Sequence, residues 1–198
     1  MIILDNTLSY ETFQAYILCL RGGHVKLDLI EYNIQELSPG HILLAAKNGR
    51  LFRLDMMAEE PHRIRKEIAA AYPGSVDSEK PFRDVWKDLD RYFKGVKVEF
   101  RAKIDISGLR PFTQKVLKEL MDIPYGELRS YSWIGKRLGY PGASRAVGQA
   151  VGRNPVPIII PCHRVIRQDG TIGGFSSGIH IKKMLLSVEG SIDTIKRT

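Results

Sequence analysis

Apolar residues in the first half of the chain recur with two periods. Between His41 and Met57 the runs HILLAAK and LFRLDM flank Asn48-Gly49, a dipeptide suited to the two left-handed positions of a tight turn, and this predicts a β-hairpin. Residues 61–72 (PHRIRKEIAAAY) and 81–93 (PFRDVWKDLDRYF) carry helical spacing, each opening on a proline that suits the first helical position. From Val96 to Ile104 apolar and charged residues alternate, which predicts a further strand.

The second half reads differently. After Pro111-Phe112-Thr113, a stripe of Phe112, Val116, Leu117, Leu120 and Met121 predicts a helix with one buried face, ended by Pro124-Tyr125-Gly126. Ser132 is positioned to cap a short helix through Leu138, Gly139-Tyr140-Pro141-Gly142 makes a turn, and Ala143 to Gly152 (ASRAVGQAVG) forms a second helix. Helix, glycine turn and helix is the helix-turn-helix pattern, which an ordinary helical hairpin shares. The small residues Ala143, Ser144, Ala146, Gly148 and Ala150 permit a close approach, either to a neighbouring helix or to a DNA groove. A last stripe, Ile181, Met184, Leu185 and Val188, stops at Gly190.

Charge divides the chain at the same place. Residues 1–105 hold 16 basic and 16 acidic side chains, whereas 106–198 hold 14 and 6, so the whole net charge of +8 lies in the second half. Residues 123–167 alone hold seven basic side chains against the single acid Glu127, which points to a polyanionic partner. Together with the seam at Asp105-Ile106-Ser107-Gly108, this predicts two domains, 1–105 and 106–198. Arg145, Arg153, Lys136 and Arg137 are the candidate phosphate contacts. At 198 residues with 43% hydrophobic and 26% charged side chains, fibrous and disordered classes are excluded.

The candidate chemistry is concentrated in residues 154–166, Asn-Pro-Val-Pro-Ile-Ile-Ile-Pro-Cys-His-Arg-Val-Ile. Prolines fix the backbone, and the run Ile158 to Ile160 delivers Cys162 from a dry segment, where burial raises a thiol pKa and leaves it inert unless a base or cation assists. His163 and Arg164 stand beside it, and histidine is the usual activator of a nucleophilic cysteine. Glu189, in the last turn of a helix, faces the negative end of the helix dipole unless a donor compensates. His163 is one candidate donor; a solvated surface position is the other reading.

Pro161-Cys162-His163-Arg164-Val165, preceded by Asn154-Pro155, resembles the active-site signature of the O6-alkylguanine-DNA alkyltransferases, and the likeness runs from PFTQKVL at 111 to Glu189-Gly190. The resemblance implies a two-domain α/β (α+β) protein. Residues 1–105 would be a ribonuclease H-like α/β domain, and 106–198 a mainly helical catalytic domain with a winged helix-turn-helix-like DNA-binding element. It implies a single-turnover repair in which Cys162 takes the alkyl group from O6 of a flipped-out guanine, and from O4-alkylthymine as well. His163 would take the thiol proton through a water, Glu189 would orient the imidazole, and Asn154 would brace the cysteine loop. Tyr131 would push the DNA backbone and donate to the guanine ring, and Arg145 would fill the vacated stack. Ser176, with the backbone around Cys162 and Val165, would hold the base, with Ala143, Ser144, Gly148, Arg137 and Arg153 on the DNA. The family binds double-stranded DNA through the minor groove with little sequence preference.

Phe175 and Ser177 fall where family members differ and shape the wall of the alkyl pocket. Cys19, with His24 and His41, resembles part of the structural zinc site of some relatives but lacks its second cysteine, so no metal and no cofactor are expected. MIILDNTLSY lacks a basic n-region and a long apolar core, so no secretory signal is expected, and no apolar run approaches the length that spans a bilayer. The expectation is a cytoplasmic monomer, nuclear in a eukaryote, that touches no membrane. The alternative is an alkyltransferase-like protein that binds lesions without repairing them; those carry another residue where this chain has Cys162.

Overall fold

The computed structural model describes residues 28–38, 40–57 and 60–196. Strands β1 (Ile30–Leu37), β2 (Gly40–Lys47) and β3 (Arg50–Met57) form an antiparallel meander. Helix α1 (Pro61–Ala71) leads to the two-residue strand β4 (Val76–Asp77), which runs parallel to β1 and closes a sheet of order β3-β2-β1-β4. A 3-10 turn (Lys80–Phe82) then opens helix α2 (Arg83–Phe93). Asn48 and Gly49 have φ of 50° and 72°, the two positive angles that the predicted hairpin turn requires.

Strand β2 is apolar on both faces because both are covered. Ile42, Leu44 and Ala46 join Trp86, Leu89 and Tyr92 of α2 on one side, while Leu43 and Ala45 meet Ile64 and Ile68 of α1 on the other. Strand β1, absent from the sequence reading, supplies Tyr32 and Ile34 to the second core. The strand expected over Val96 to Ile104 does not form. Ile104 makes one isolated bridge to Leu51, held by the Leu51 N–H to Lys103 O and the Asp105 N–H to Leu51 O. Val98, Phe100, Ala102 and Ile104 nevertheless pack on the core, so the alternation reports an extended chain lying on an apolar surface without a ladder partner.

In the second half α3 (Pro111–Met121) precedes a small parallel pair, β5 (Arg129–Ser130) with β6 (Val165–Ile166), which brackets helices α4 (Tyr131–Arg137) and α5 (Ser144–Val151). The cysteine sits in a 3-10 turn (Cys162–Arg164), and α6 (Ile179–Val188) closes the unit. Three local expectations are corrected. Ser130, not Ser132, caps α4, because its Oγ accepts the Trp133 N–H at 3.1 Å. Met121 is 43% exposed, since the buried face of α3 is Thr113, Val116, Leu117 and Leu120. On α6 the fully buried positions are Lys182, Leu185 and Leu186, with Ile181, Met184 and Val188 half-buried around them.

The seam is not a solvent gap. Leu54, Phe82 and Tyr92 from the first half share one core with Val116, Ile134, Val147 and Leu185 from the second. The Leu54 N–H also donates to Pro155 O at 2.9 Å, so strand β3 holds the start of the cysteine loop directly. Among the described residues no helix is long and apolar enough to cross a membrane. Cys19 and His24 lie outside the described residues.

Candidate active site

The cysteine loop is built by hydrogen bonds that proline leaves available. Asn154 Nδ2 donates to Ile160 O at 2.8 Å, and its Oδ1 accepts the Val156 N–H at 3.0 Å, so one side chain clamps both ends of the loop. Ile160 N–H to Val156 O and Ile159 N–H to Pro157 O tighten it further. Ile158 pivots the turn at φ 72°, a left-handed angle that costs a β-branched residue about 1–2 kcal/mol, and it is 1% exposed, so surrounding packing holds it there. The loop ends by placing Cys162 at the floor of a cavity of about 420 Å³.

That cavity is lined by Tyr131, Ser144 and Gly148 from α4 and α5, by Cys162, and by Gly174, Phe175 and Ser176 from the loop before α6. It therefore brings together Cys162, Tyr131, Ser144, Gly148 and Ser176, which are scattered through the sequence. It also contains Arg167, which sequence reasoning did not single out. Gly173, at φ 71°, lies where a Cβ would come within 3.3 Å of the Tyr131 ring and hydroxyl, so glycine there sets the width of the pocket beside Tyr131. Val165 is fully buried behind the cysteine, and Ser176 is exposed at the rim.

Cys162 is 3% exposed, and burial pushes its thiol up to about 11 against partial relief from the Asn154 side chain, the Lys182 ammonium and nearby backbone N–H groups. At that value only about one thiol in ten thousand is ionised at neutral pH. His163 is also wholly buried, and burial lowers its pKa despite the neighbouring carboxylate. The resting pair is thus a neutral thiol beside a neutral imidazole, and a thiolate must be generated during reaction rather than stored.

Glu189 lies beneath His163. Burial alone would raise its carboxyl, but hydrogen bonds from His163 and Arg164 outweigh that and hold it at about 2. Its Oε1 is 2.7 Å from His163 Nε2, so an ionised carboxylate there requires the N–H on Nε2. Among the described residues, His163 Nδ1 is buried with no hydrogen-bond partner, which leaves its lone pair as the ring's base. Of the two readings of Glu189, donor-bound and solvated, the structure has the first.

The donors exceed what the sequence suggested. Arg164 grips Glu189 through Nε and Nη2 and donates Nη1 to Ile123 O, so it serves the carboxylate, and the cation near the thiol is Lys182. The Gly126 N–H reaches Glu189 Oε2 at 3.1 Å; Gly126 has φ 78°, and a Cβ there would stand 3.2 Å from Glu189 O. Tyr92, from the half of the chain that carries no net charge, donates its hydroxyl to Glu189 Oε1 at 2.8 Å. Lys182 Nζ donates to Val165 O and, at 2.7 Å, to Ile172 O, tying the cysteine turn to the cavity rim; its pKa falls to about 8, chiefly through burial. A charged residue inside an apolar helical stripe is the sequence signal for Lys182; Tyr92 gave none.

Arg145 and Arg153 are exposed on and just after α5, and Ala143 precedes the helix. Arg137 differs from the expectation of a free phosphate contact: its Nε is 2.8 Å from Glu119 Oε1, and its guanidinium lies 5.5 Å from the Trp133 ring centroid.

The sequence matches two family models. One, described as "6-O-methylguanine DNA methyltransferase, ribonuclease-like domain", covers residues 30–106, and the other, "6-O-methylguanine DNA methyltransferase, DNA binding domain", covers 111–191. The methylated-DNA--protein-cysteine methyltransferase of Methanosarcina barkeri is 42% identical over 158 residues, which span 80% of this chain and 96% of the relative. That of Mycobacterium tuberculosis is 40% identical over 166 residues, 82% and 94% of the two chains. The fold is similar to the crystal structure of M. tuberculosis OGT in complex with DNA, with a TM-score of 0.70 and 34% identity over 83% of this chain and 94% of that one.

Proposed function

Because the chain belongs to the 6-O-methylguanine DNA methyltransferase family, we propose that it repairs alkylated DNA by direct reversal, with Cys162 as the acceptor of the alkyl group. The observation that carries this reading is a buried thiol at the floor of an open cavity, next to a histidine whose Nε2 is fixed by Glu189 and whose Nδ1 is unpartnered. The fold is two-part, a ribonuclease-like unit and a DNA-binding unit, and the division falls near residue 105.

The reaction is an in-line displacement. His163 Nδ1 takes the thiol proton through a water as Sγ attacks the alkyl carbon; the carbon–O6 bond breaks and its electron pair returns to the guanine ring. Tyr131, whose hydroxyl burial keeps protonated, donates to the leaving base and offsets the developing charge. Concerted proton removal suits a thiol held at about 11, because no free thiolate has to be populated first. The product is a thioether with no means of hydrolysis in the site, so each molecule acts once. O4-alkylthymine would enter by the same route.

A base inside a duplex stack has to be extruded to reach Cys162, at a cost of a few kcal/mol. Arg145 fills the gap, while Ala143, Ser144 and Gly148 allow α5 to lie close in the minor groove with little sequence preference. Ser176, with the backbone around Cys162 and Val165, holds the flipped base. The protein acts as a monomer in the cytoplasm, or in the nucleus of a eukaryote. A lesion-binding role without repair is disfavoured by the thiol itself.

Incubation with a duplex containing O6-methylguanine, followed by intact-mass and peptide analysis, tests the reading. One methyl on Cys162 per protein is expected. DNA bound with Cys162 unmodified would overturn it.

A further inference from the structure

Tyr92 stands 97 positions from Glu189 in sequence and on the other side of the seam, yet its hydroxyl is 2.8 Å from Glu189 Oε1 and 3.3 Å from His163 Nε2. Its ring is accounted for by packing: Phe93, Phe100 and Tyr125 surround it at centroid distances of 5.5–6.0 Å. Phenylalanine would serve that packing equally well. The hydroxyl is the part left to explain, because a buried O–H beside a buried carboxylate has to be matched in proton count with its neighbours.

That count has one solution. Glu189 is ionised and only accepts, so the Tyr92 proton lies toward Oε1. Toward His163 the tyrosine oxygen then offers a lone pair. Nε2 therefore faces two acceptors, Glu189 Oε1 at 2.7 Å and Tyr92 Oη at 3.3 Å, and it must carry the ring proton. Nδ1 is left as the base. Burial and the adjacent carboxylate push the tyrosine pKa far upward, so the hydroxyl stays a donor throughout the working range.

We propose that Tyr92 is a positioning residue for alkyl transfer, contributed by the ribonuclease-like half, which acts through Glu189 and His163 to fix the imidazole tautomer with its base at Nδ1. The inference rests on the reading that Cys162 is the acceptor. It gives the first half of the chain a part in the chemistry that its neutral charge did not suggest. By sharing Oε1 with the His163 N–H, Tyr92 also weakens the pull of Glu189 on that proton and keeps the imidazole from being charged too readily. The other groups acting on His163 are Arg164 and Lys182, and Tyr125 also lies against Tyr92; Tyr92→Phe leaves all three in place.

The test compares wild type with Tyr92→Phe, measuring the rate of methyl transfer from duplex O6-methylguanine across pH, together with thermal unfolding. Transfer should slow severalfold at neutral pH. The acid limb of the profile should also move up by about half a pH unit or more, because the freed Oε1 holds the imidazolium more tightly. An acid limb that does not move, whatever the change in unfolding temperature, overturns the inference and leaves Tyr92 a packing residue. Nitrogen-15 spectra of wild-type His163 give a second measurement that needs no variant: protonated Nε2 is expected, and protonated Nδ1 overturns the proposal. A wild-type chain that accepts no methyl group overturns the reading of Cys162 and this inference together, whereas normal wild-type transfer with an unmoved limb overturns the inference alone.

Discussion

Arg164 and Glu189 form a fork-on-carboxylate pair inside the protein: Nε lies 2.9 Å from Oε2, and Nη2 lies 2.9 Å from Oε1. Arg164 is 8% exposed and Glu189 7%, so each charge depends on the other for compensation. Glu189→Gln keeps the shape but leaves the guanidinium buried against a neutral amide. Losing one partner of such a pair costs about 3–5 kcal/mol, so the urea midpoint should fall sharply and methyl transfer should slow with it. A variant with wild-type stability would show that Arg164 finds another partner.

The same pair sets the acid response. The Glu189 carboxyl falls from 4.5 to about 2, so its stabilisation is complete above 4.5 and is lost as pH drops toward 2. Its size is on the order of 3 kcal/mol. His163 acts in the same direction: its folded pKa lies below 6.5, so under that pH the unfolded chain takes up a proton that the buried ring refuses. Urea titrations between neutral pH and about pH 3 should show stability declining throughout, and Glu189→Gln should flatten the lower part of the curve.

Lys182 links two parts of the cavity. Its ammonium is held by Val165 O and Ile172 O, one in the cysteine turn and one in the loop that carries the rim residues Gly174 and Ser176. Lys182→Met fits the apolar stripe of α6 but leaves those carbonyls buried and unsatisfied. Unmet groups of this kind cost about 1–3 kcal/mol each, so denaturant unfolding should register a loss of about 2–4 kcal/mol. Cys162 should also react more slowly with iodoacetamide, because the nearby ammonium favours the thiolate. Unchanged alkylation would place Lys182 in a purely structural role.

Local signals made much of this fold legible. The Asn48-Gly49 turn, the prolines that open helices at 61 and 111, and the glycine turn between α4 and α5 each act through backbone geometry that is written in adjacent residues. The Cys162-His163 motif was legible for the same reason, and Glu189 was flagged by its unfavourable place at a helix end. Tyr92 was not, because its pattern in α2 is that of any core tyrosine and its hydroxyl acquires meaning only when the two halves meet. Arg164 was legible as a cation in need of a polar partner, but the two-pronged geometry of its grip on Glu189 was not, since it exists only once segments 25 positions apart meet in the fold. The residues from Val96 to Ile104 were misread because alternation reveals which side of an extended chain is buried, not whether a neighbouring strand exists.

The exposed arginines around α5 separate into two groups. Arg137 is committed to Glu119 and to the Trp133 ring, so a phosphate would have to compete for it. Arg145 forms no ion pair among the described residues and follows Ser144, which lines the cavity that holds Cys162. A side chain there can occupy a vacated base stack without disturbing the thiol, because it contributes nothing to the Cys162-His163-Glu189 contacts. Arg145→Ala should therefore slow transfer from duplex O6-methylguanine by a factor of ten or more, about 1.4 kcal/mol for each tenfold, while reaction with the free base O6-benzylguanine stays close to wild type. Arg137→Ala should change neither rate much and should reduce the salt dependence of DNA binding less than Arg153→Ala does. Equal losses on the two substrates for Arg145→Ala would move that residue from base extrusion to the chemical step, and a different residue would then have to fill the stack.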